Sequence, residues 1–165
     1  SARHMVKTNM GTVAAMSGNT AGEIGNVIDN KVYFNYHVDC KHTTNSEFDI
    51  TRIDKLSDVP VVFFNAESNP DVFKYTIEHS KGVVVAGAGR GEYSKEFIDI
   101  ISNSKIPVVI SSRVKEGIIE PDGLLNKEAI SAINLPPQKA AILLRLALAK
   151  GETTQEQLIK IFAKY

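Results

Sequence analysis

The chain has 165 residues, with 19 basic and 19 acidic side chains and no formal net charge. That length supports one sizeable core, or one domain plus part of another. Neutrality removes the electrostatic case for nucleic acid, and no apolar run approaches the ~20 residues of a membrane span. The single cysteine, Cys40, excludes an internal disulfide.

Residues 1–38 read as β-rich or irregular, punctuated by Gly11, Gly18, Gly22 and Gly25. Val27 to Phe34 has the pattern of a hairpin: two short apolar runs around Asp29-Asn30, residues that tolerate positive φ. A lone hairpin buries too little surface to offset its ordering entropy, so residues 1–36 are expected to belong to a larger unit. Residues 37–57 are polar and read as a connecting segment. Within them His37, Asp39, Cys40 and His42 invite a metal reading, but His-x-x-Cys-x-His matches no standard zinc spacing and no second ligand pair follows.

From Val59 the pattern becomes alternating strands and helices. Val59 to Phe64 is a strand with Pro60 near its start, where a missing N–H matters least. Asn69 caps a helix with Pro70 at its first position, running to about His79. Gly82 to Ala86 is a continuous apolar run, as expected of a strand covered on both faces. Ser94 caps the next helix, with Phe97, Ile98 and Ile101 on one face. Ile106 to Ile110 is a third strand, ending in Ser111-Ser112-Arg113. This alternation predicts an α/β fold with a parallel sheet and flanking helices over residues 58–165. Residues 114–123 read as a loop and Asn126 as the start of a short helix. Pro136-Pro137 opens a strong helix with Ala140, Leu143, Leu144, Ala147 and Leu148 in one stripe, ended by Gly151. Thr153 to Glu156 has capping-box spacing, and Leu158, Ile159 and Phe162 are the expected buried face of a last helix.

Chemistry is expected first just after Ala86, because ligands gather at the carboxyl ends of strands in open α/β sheets. There Gly87, Gly89 and Gly91 let the chain turn sharply or approach a ligand. The run superficially matches a dinucleotide fingerprint. Its spacing, however, is Gly-x-Gly-x-Gly, no amphipathic helix follows at once, and no acidic residue ends a strand about twenty positions on.

Taken together, Ser-Ala-Arg at 1–3, Val-Lys-Thr-Asn at 6–9, Lys41-His42-Thr43, Phe48-Asp49-Ile50, Ala86-Gly87-Ala88-Gly89, Ser111-Ser112-Arg113-Val114, Pro137-Gln138-Lys139-Ala140 and Ile161 to Tyr165 resemble the later half of a bacterial-type L-asparaginase, nearest to the type II enzymes. The match runs through the chain in one register, with a small deletion after Val114. It implies an amidohydrolase that converts L-asparagine to L-aspartate and ammonia, and glutamine more slowly, with no metal or organic cofactor. It also implies a homotetramer whose active sites lie at the seam between paired subunits.

Lys7 matches the family's catalytic lysine, which works with an aspartate and a threonine. A hydroxyl of ordinary pKa needs such a base or relay. The glycine-rich loop matches the one that lends an asparagine to the neighbouring subunit's substrate site; here Arg90 and Glu92 stand at those positions. Glu120, with Glu116 behind it, is the candidate for a family glutamate that reaches the same site. Thr8, Thr12 and Thr20 do not match the nucleophilic threonine, which the resemblance places before Ser1. The expectation is therefore a remnant of the N-terminal catalytic domain over residues 1–36, a linker over 37–57 and the C-terminal domain over 58–165, inactive alone. Two other readings stand beside it: a non-catalytic α/β ligand-binding or regulatory module, and the related amidotransferase subunit that acts on misacylated tRNA. The latter is disfavoured by the lack of a basic face.

Overall fold

The computed structural model describes residues 3–165; Ser1 and Ala2, part of the Ser-Ala-Arg match, lie outside the described residues. Two small antiparallel pairs come first. Strand β1 (Val6–Lys7) pairs with β2 (Met16–Ser17), and β3 (Gly25–Ile28) with β4 (Lys31–Phe34). The β3–β4 turn is Asp29-Asn30, with φ of 49° and 61°, the doubly left-handed turn that a two-residue hairpin requires. Its apolar side chains stay outside the core: Val27, Val32 and Phe34 are each at least 60% exposed.

Four parallel strands form the main sheet in the order β5 (Val61–Phe63), β6 (Val83–Gly87), β7 (Val108–Ser112), β8 (Ile130–Ser131). Helices α1 (Pro70–Glu78) and α2 (Lys95–Ser102) connect the first three strands; α3 (Pro137–Lys150) and α4 (Gln155–Lys164) follow β8. Side chains alternate along β6. Val84 faces a cluster with Leu143, Leu144, Leu158 and Phe162 from α3 and α4. Val83 and Val85 face Phe73, Phe97 and Ile101 from α1 and α2. The sheet is thus covered on both sides, which is why its central strand reads as an unbroken apolar run. Each buried Val or Leu contributes about 1.5–3 kcal/mol over leaving it exposed.

The helix ends follow their sequence signals. Asn69 Oδ1 accepts the Asp71 N–H at 2.8 Å, and Ser94 Oγ accepts from Phe97 N. Gly151 ends α3 with φ 91°. Three expectations need correction. Asn126 starts no helix: it is buried, its amide donates to Ile98 O and Ser102 Oγ, and its Oδ1 accepts from Glu128 N, so it fixes a turn leading into β8. In α4, Ile161 is buried and Ile159 is 44% exposed, because Leu158, Ile161 and Phe162 make the i, i+3, i+4 stripe. The capping box uses Thr154 and Gln157, one residue beyond the expected frame.

The polar segment 37–57 is docked onto the domain. Lys41 N donates to Lys164 O at 3.2 Å, and Phe48 packs against Tyr165 in a tilted pair with ring centroids 5.2 Å apart. Glu47 sits among Lys41 at 3.2 Å, Lys164 at 3.4 Å and Lys150 at 4.0 Å. Burial pushes the Glu47 carboxyl up, but hydrogen bonds and charge from Lys41 and Lys164 outweigh it and hold the group below its ordinary value.

Candidate functional site

The loop after β6 is locked internally. Ala88 N donates to Glu92 O and Glu92 N to Ala88 O, both at 2.8 Å, and Gly91 N donates to Ala88 O at 2.7 Å. Gly91 takes φ 92°. A methyl on Gly87 would overlap the Gly91 carbonyl carbon and stand 2.6 Å from its oxygen. Ser112 Oγ, at the end of β7, donates to Gly89 O at 2.5 Å, so the two central strands hold one loop between them.

Glu92 Oε2 accepts the Arg90 N–H at 2.7 Å, so this carboxylate is turned back into its own loop. The Arg90 side chain is exposed and its tip comes within 4.0 Å of the position a Cβ on Gly123 would take. Glu120 precedes the short turn Pro121–Gly123 and is exposed. The structure thus gathers Arg90, Glu92 and Glu120 at the carboxyl edge of the sheet. Glu116 lies further along the β7–β8 connection, with Gly89 and Arg90 on the wall of a small cavity of about 60 Å³.

Lys7 is apart from them. It is exposed on β1, and its carbonyl accepts from Lys115 Nζ at 3.4 Å. Among the described residues no carboxylate stands within ion-pair distance of its ammonium. His37, Asp39, Cys40 and His42 do not converge either: among the described residues no group of three His, Cys, Asp or Glu side chains could hold a metal ion.

Sequence reasoning missed a polar junction between the N-terminal segment and the end of β8. Arg3 Nε donates to Asn134 Oδ1 at 2.8 Å, and Asn134 Nδ2 lies 3.2 Å from His4 Nε2. Lys139 Nζ donates to Arg3 O at 3.0 Å and to Met5 O. Burial, then the charges of Arg3 and Lys139, hold the His4 imidazole below its ordinary pKa. Only the Ser-Ala-Arg and Pro-Gln-Lys matches could have flagged this pairing, since 131 residues separate Arg3 from Asn134. Tyr93 is the other unforeseen group: its hydroxyl is buried without a partner among the described residues, and burial pushes its pKa up to about 12.

A parallel sheet covered on both faces, with polar loops grouped at the carboxyl ends of its strands, places the main body among open α/β ligand-site domains. The family model described as the glutaminase/asparaginase C-terminal domain matches residues 58–162, and the chain belongs to that family. Similar curated relatives extend over the N-terminal residues too. L-asparaginase 2 of Bacillus subtilis (strain 168) is 30% identical over 161 residues, 94% of this chain and 43% of the relative. L-asparaginase 2 of Escherichia coli (strain K12) is 29% identical, covering 99% of this chain and 49% of the relative. A glutaminase-asparaginase of Acinetobacter glutaminasificans is 31% identical, covering 82% and 44%. The chain therefore spans under half the length of these relatives.

Proposed function

We propose that this chain is part of an L-asparaginase that hydrolyses the side-chain amide of L-asparagine to L-aspartate and ammonia. The observation that carries this is the domain match over residues 58–162, continued over the N-terminal residues by relatives named as L-asparaginases. A relative named as a glutaminase-asparaginase favours slower turnover of glutamine as a side activity.

In this reading the nucleophile is a threonine outside the 165 residues. Its hydroxyl gives up its proton and attacks the amide carbon, the C–N bond breaks as the leaving nitrogen takes up a proton and departs as ammonia, and water then hydrolyses the ester to aspartate and restores the hydroxyl. Lys7 relays the proton with an aspartate and a threonine that this chain does not contribute. Residues 1–36 belong to the catalytic domain, 37–57 connect, and 58–165 form the C-terminal domain. The exposed face of β3–β4 supports this division, since a face that apolar is expected to be covered by further protein.

The protein works as a homotetramer, a dimer of dimers, in which Arg90, Glu92 and Glu120 border the substrate of a neighbouring subunit. Because Arg90 N–H occupies Glu92 Oε2, the Oε1 atom is the one that would meet a substrate ammonium. No metal or organic cofactor is called on.

Ammonia release tests the proposal. The 165-residue chain alone is expected to release none above the buffer blank. Joined to an asparaginase N-terminal half it is expected to turn over asparagine, and Lys7→Met is expected to lower the rate about a hundredfold to ten-thousandfold. Enzyme-like ammonia release by the chain alone would overturn the mechanism.

A further inference from the structure

A cleft of about 560 Å³ runs between the N-terminal segment and the loop that follows β7. That volume suits a small organic ligand. Its floor lies at the carboxyl end of β8, and Asn134 and Ile118 are among its walls. Three of its side chains are basic or can become so: Arg3 and His4 on one wall and Lys115 on the other. Among the described residues of the lining, Glu116 supplies the single carboxylate.

Asn134 ties the first wall to the floor, since its amide meets both Arg3 Nε and His4 Nε2. The residue that aims it is strained. Ile133 has φ 59°, a left-handed conformation that a β-branched side chain rarely adopts. It is held there from both sides: its N–H donates to Ser131 Oγ and its carbonyl accepts from Ile119 N, each at 2.9 Å. Strain of this kind persists where surrounding structure over-determines it, often at ligand sites. The proposed amidase chemistry uses none of these residues.

We propose that this cleft binds a small carboxylate-bearing ligand, held by Arg3, His4 and Lys115 with Asn134 as the orienting amide. Arginine and lysine supply the charge-assisted bonds that a carboxylate takes. Glu116 offers a counter-charge for an ammonium, so an α-amino acid is expected to bind better than a simple dicarboxylate. Arg3 and His4 come from the first residues described and Lys115 from the β7–β8 connection, so an occupant would bridge the two.

Calorimetric titration of the 165-residue chain with L-aspartate, succinate and inorganic phosphate tests this without any turnover. Saturable binding of L-aspartate at millimolar concentration is expected, weaker for succinate. Lys115→Ala, at an exposed position, is expected to weaken it about tenfold, the loss of one charge-assisted bond. Glu116→Gln should remove the preference for aspartate over succinate. Binding of phosphate alone, binding unchanged in Lys115→Ala, or no saturable heat for any of the three would overturn the proposal. Because Arg3 is half-buried, Arg3→Gln is read only beside a circular dichroism spectrum, and Lys115→Ala carries the decision. The readout is binding and not turnover, and Lys115 has no part in the amidase reading, so failure here leaves that reading standing.

Discussion

Replacing Gly87 by alanine probes the loop where it is tightest. The backbone conformation there is open to any residue, so the cost is steric alone. The new methyl would lie 2.6 Å from Gly91 O, a backbone atom that cannot swing aside. Gly91 is fixed by its own N–H bond to Ala88 O, and the reciprocal Ala88–Glu92 bonds close the turn around it. Making room means stretching two of these bonds, at about 0.5–1.5 kcal/mol each. Local overpacking adds about 1–3 kcal/mol. The sum is about 4 kcal/mol, or roughly 8–16 °C in Tm for a domain of this size. Urea unfolding followed by circular dichroism measures it, with Gly11→Ala as the control, because a methyl on Gly11 meets nothing within 4 Å. The control should sit within about 0.5 kcal/mol of the parent. If Gly87→Ala were as stable as Gly11→Ala, the loop would be looser than the structure shows, and its use as a rigid presenter of Arg90 would fail.

Two further outcomes are expected. Glu47→Gln should cost about 1 kcal/mol at neutral pH, as a partly buried carboxylate among three ammoniums loses its charge. The folded-state pKa lies below the ordinary 4.5, so this stabilisation is present above that value and fades as pH falls through the lower one. Paired urea curves at neutral and acid pH should therefore converge at low pH, and a gap that persisted there would sink the assignment. Tyr93→Phe removes a buried hydroxyl that has no partner among the described residues and should raise stability by about 1 kcal/mol. A lower Tm for that variant would mean the hydroxyl bonds to something the fold does not reveal.

Much of the domain was legible because its signals are local. Asn69-Pro70, Ser94 and Gly151 each mark a helix end through their own chemistry, and the apolar run before Gly87 announces a strand covered on both faces. What escaped is what depends on distant partners. Strand β8 has two residues, too few to show a period, and exists because β7 offers Val109 and Ile110 as partners to Ile130 and Ser131. Asn126 has the composition of a cap, but its amide is spent on Ile98 and Ser102 of α2. At the candidate site, the glycine spacing indicated a tight loop. It did not indicate that Glu92 would fold back onto Arg90, which depends on the left-handed turns at Gly89 and Gly91. The Arg3–Asn134 contact had no local signature at all.

The docking of Lys41 to Phe48 onto the last turn of α4 sets the entropy of everything before it. With that stretch held at Tyr165, the first forty residues start from a fixed point on the domain rather than from a free tether. Contacts such as Arg3 with Asn134 then form intramolecularly at high effective concentration, and bonds too weak to hold two separate chains together can persist. Loosening the anchor at Glu47 should therefore be felt at the far end of the N-terminal segment, as fraying of the Arg3 end, without any change in the bonds that Arg3 itself makes.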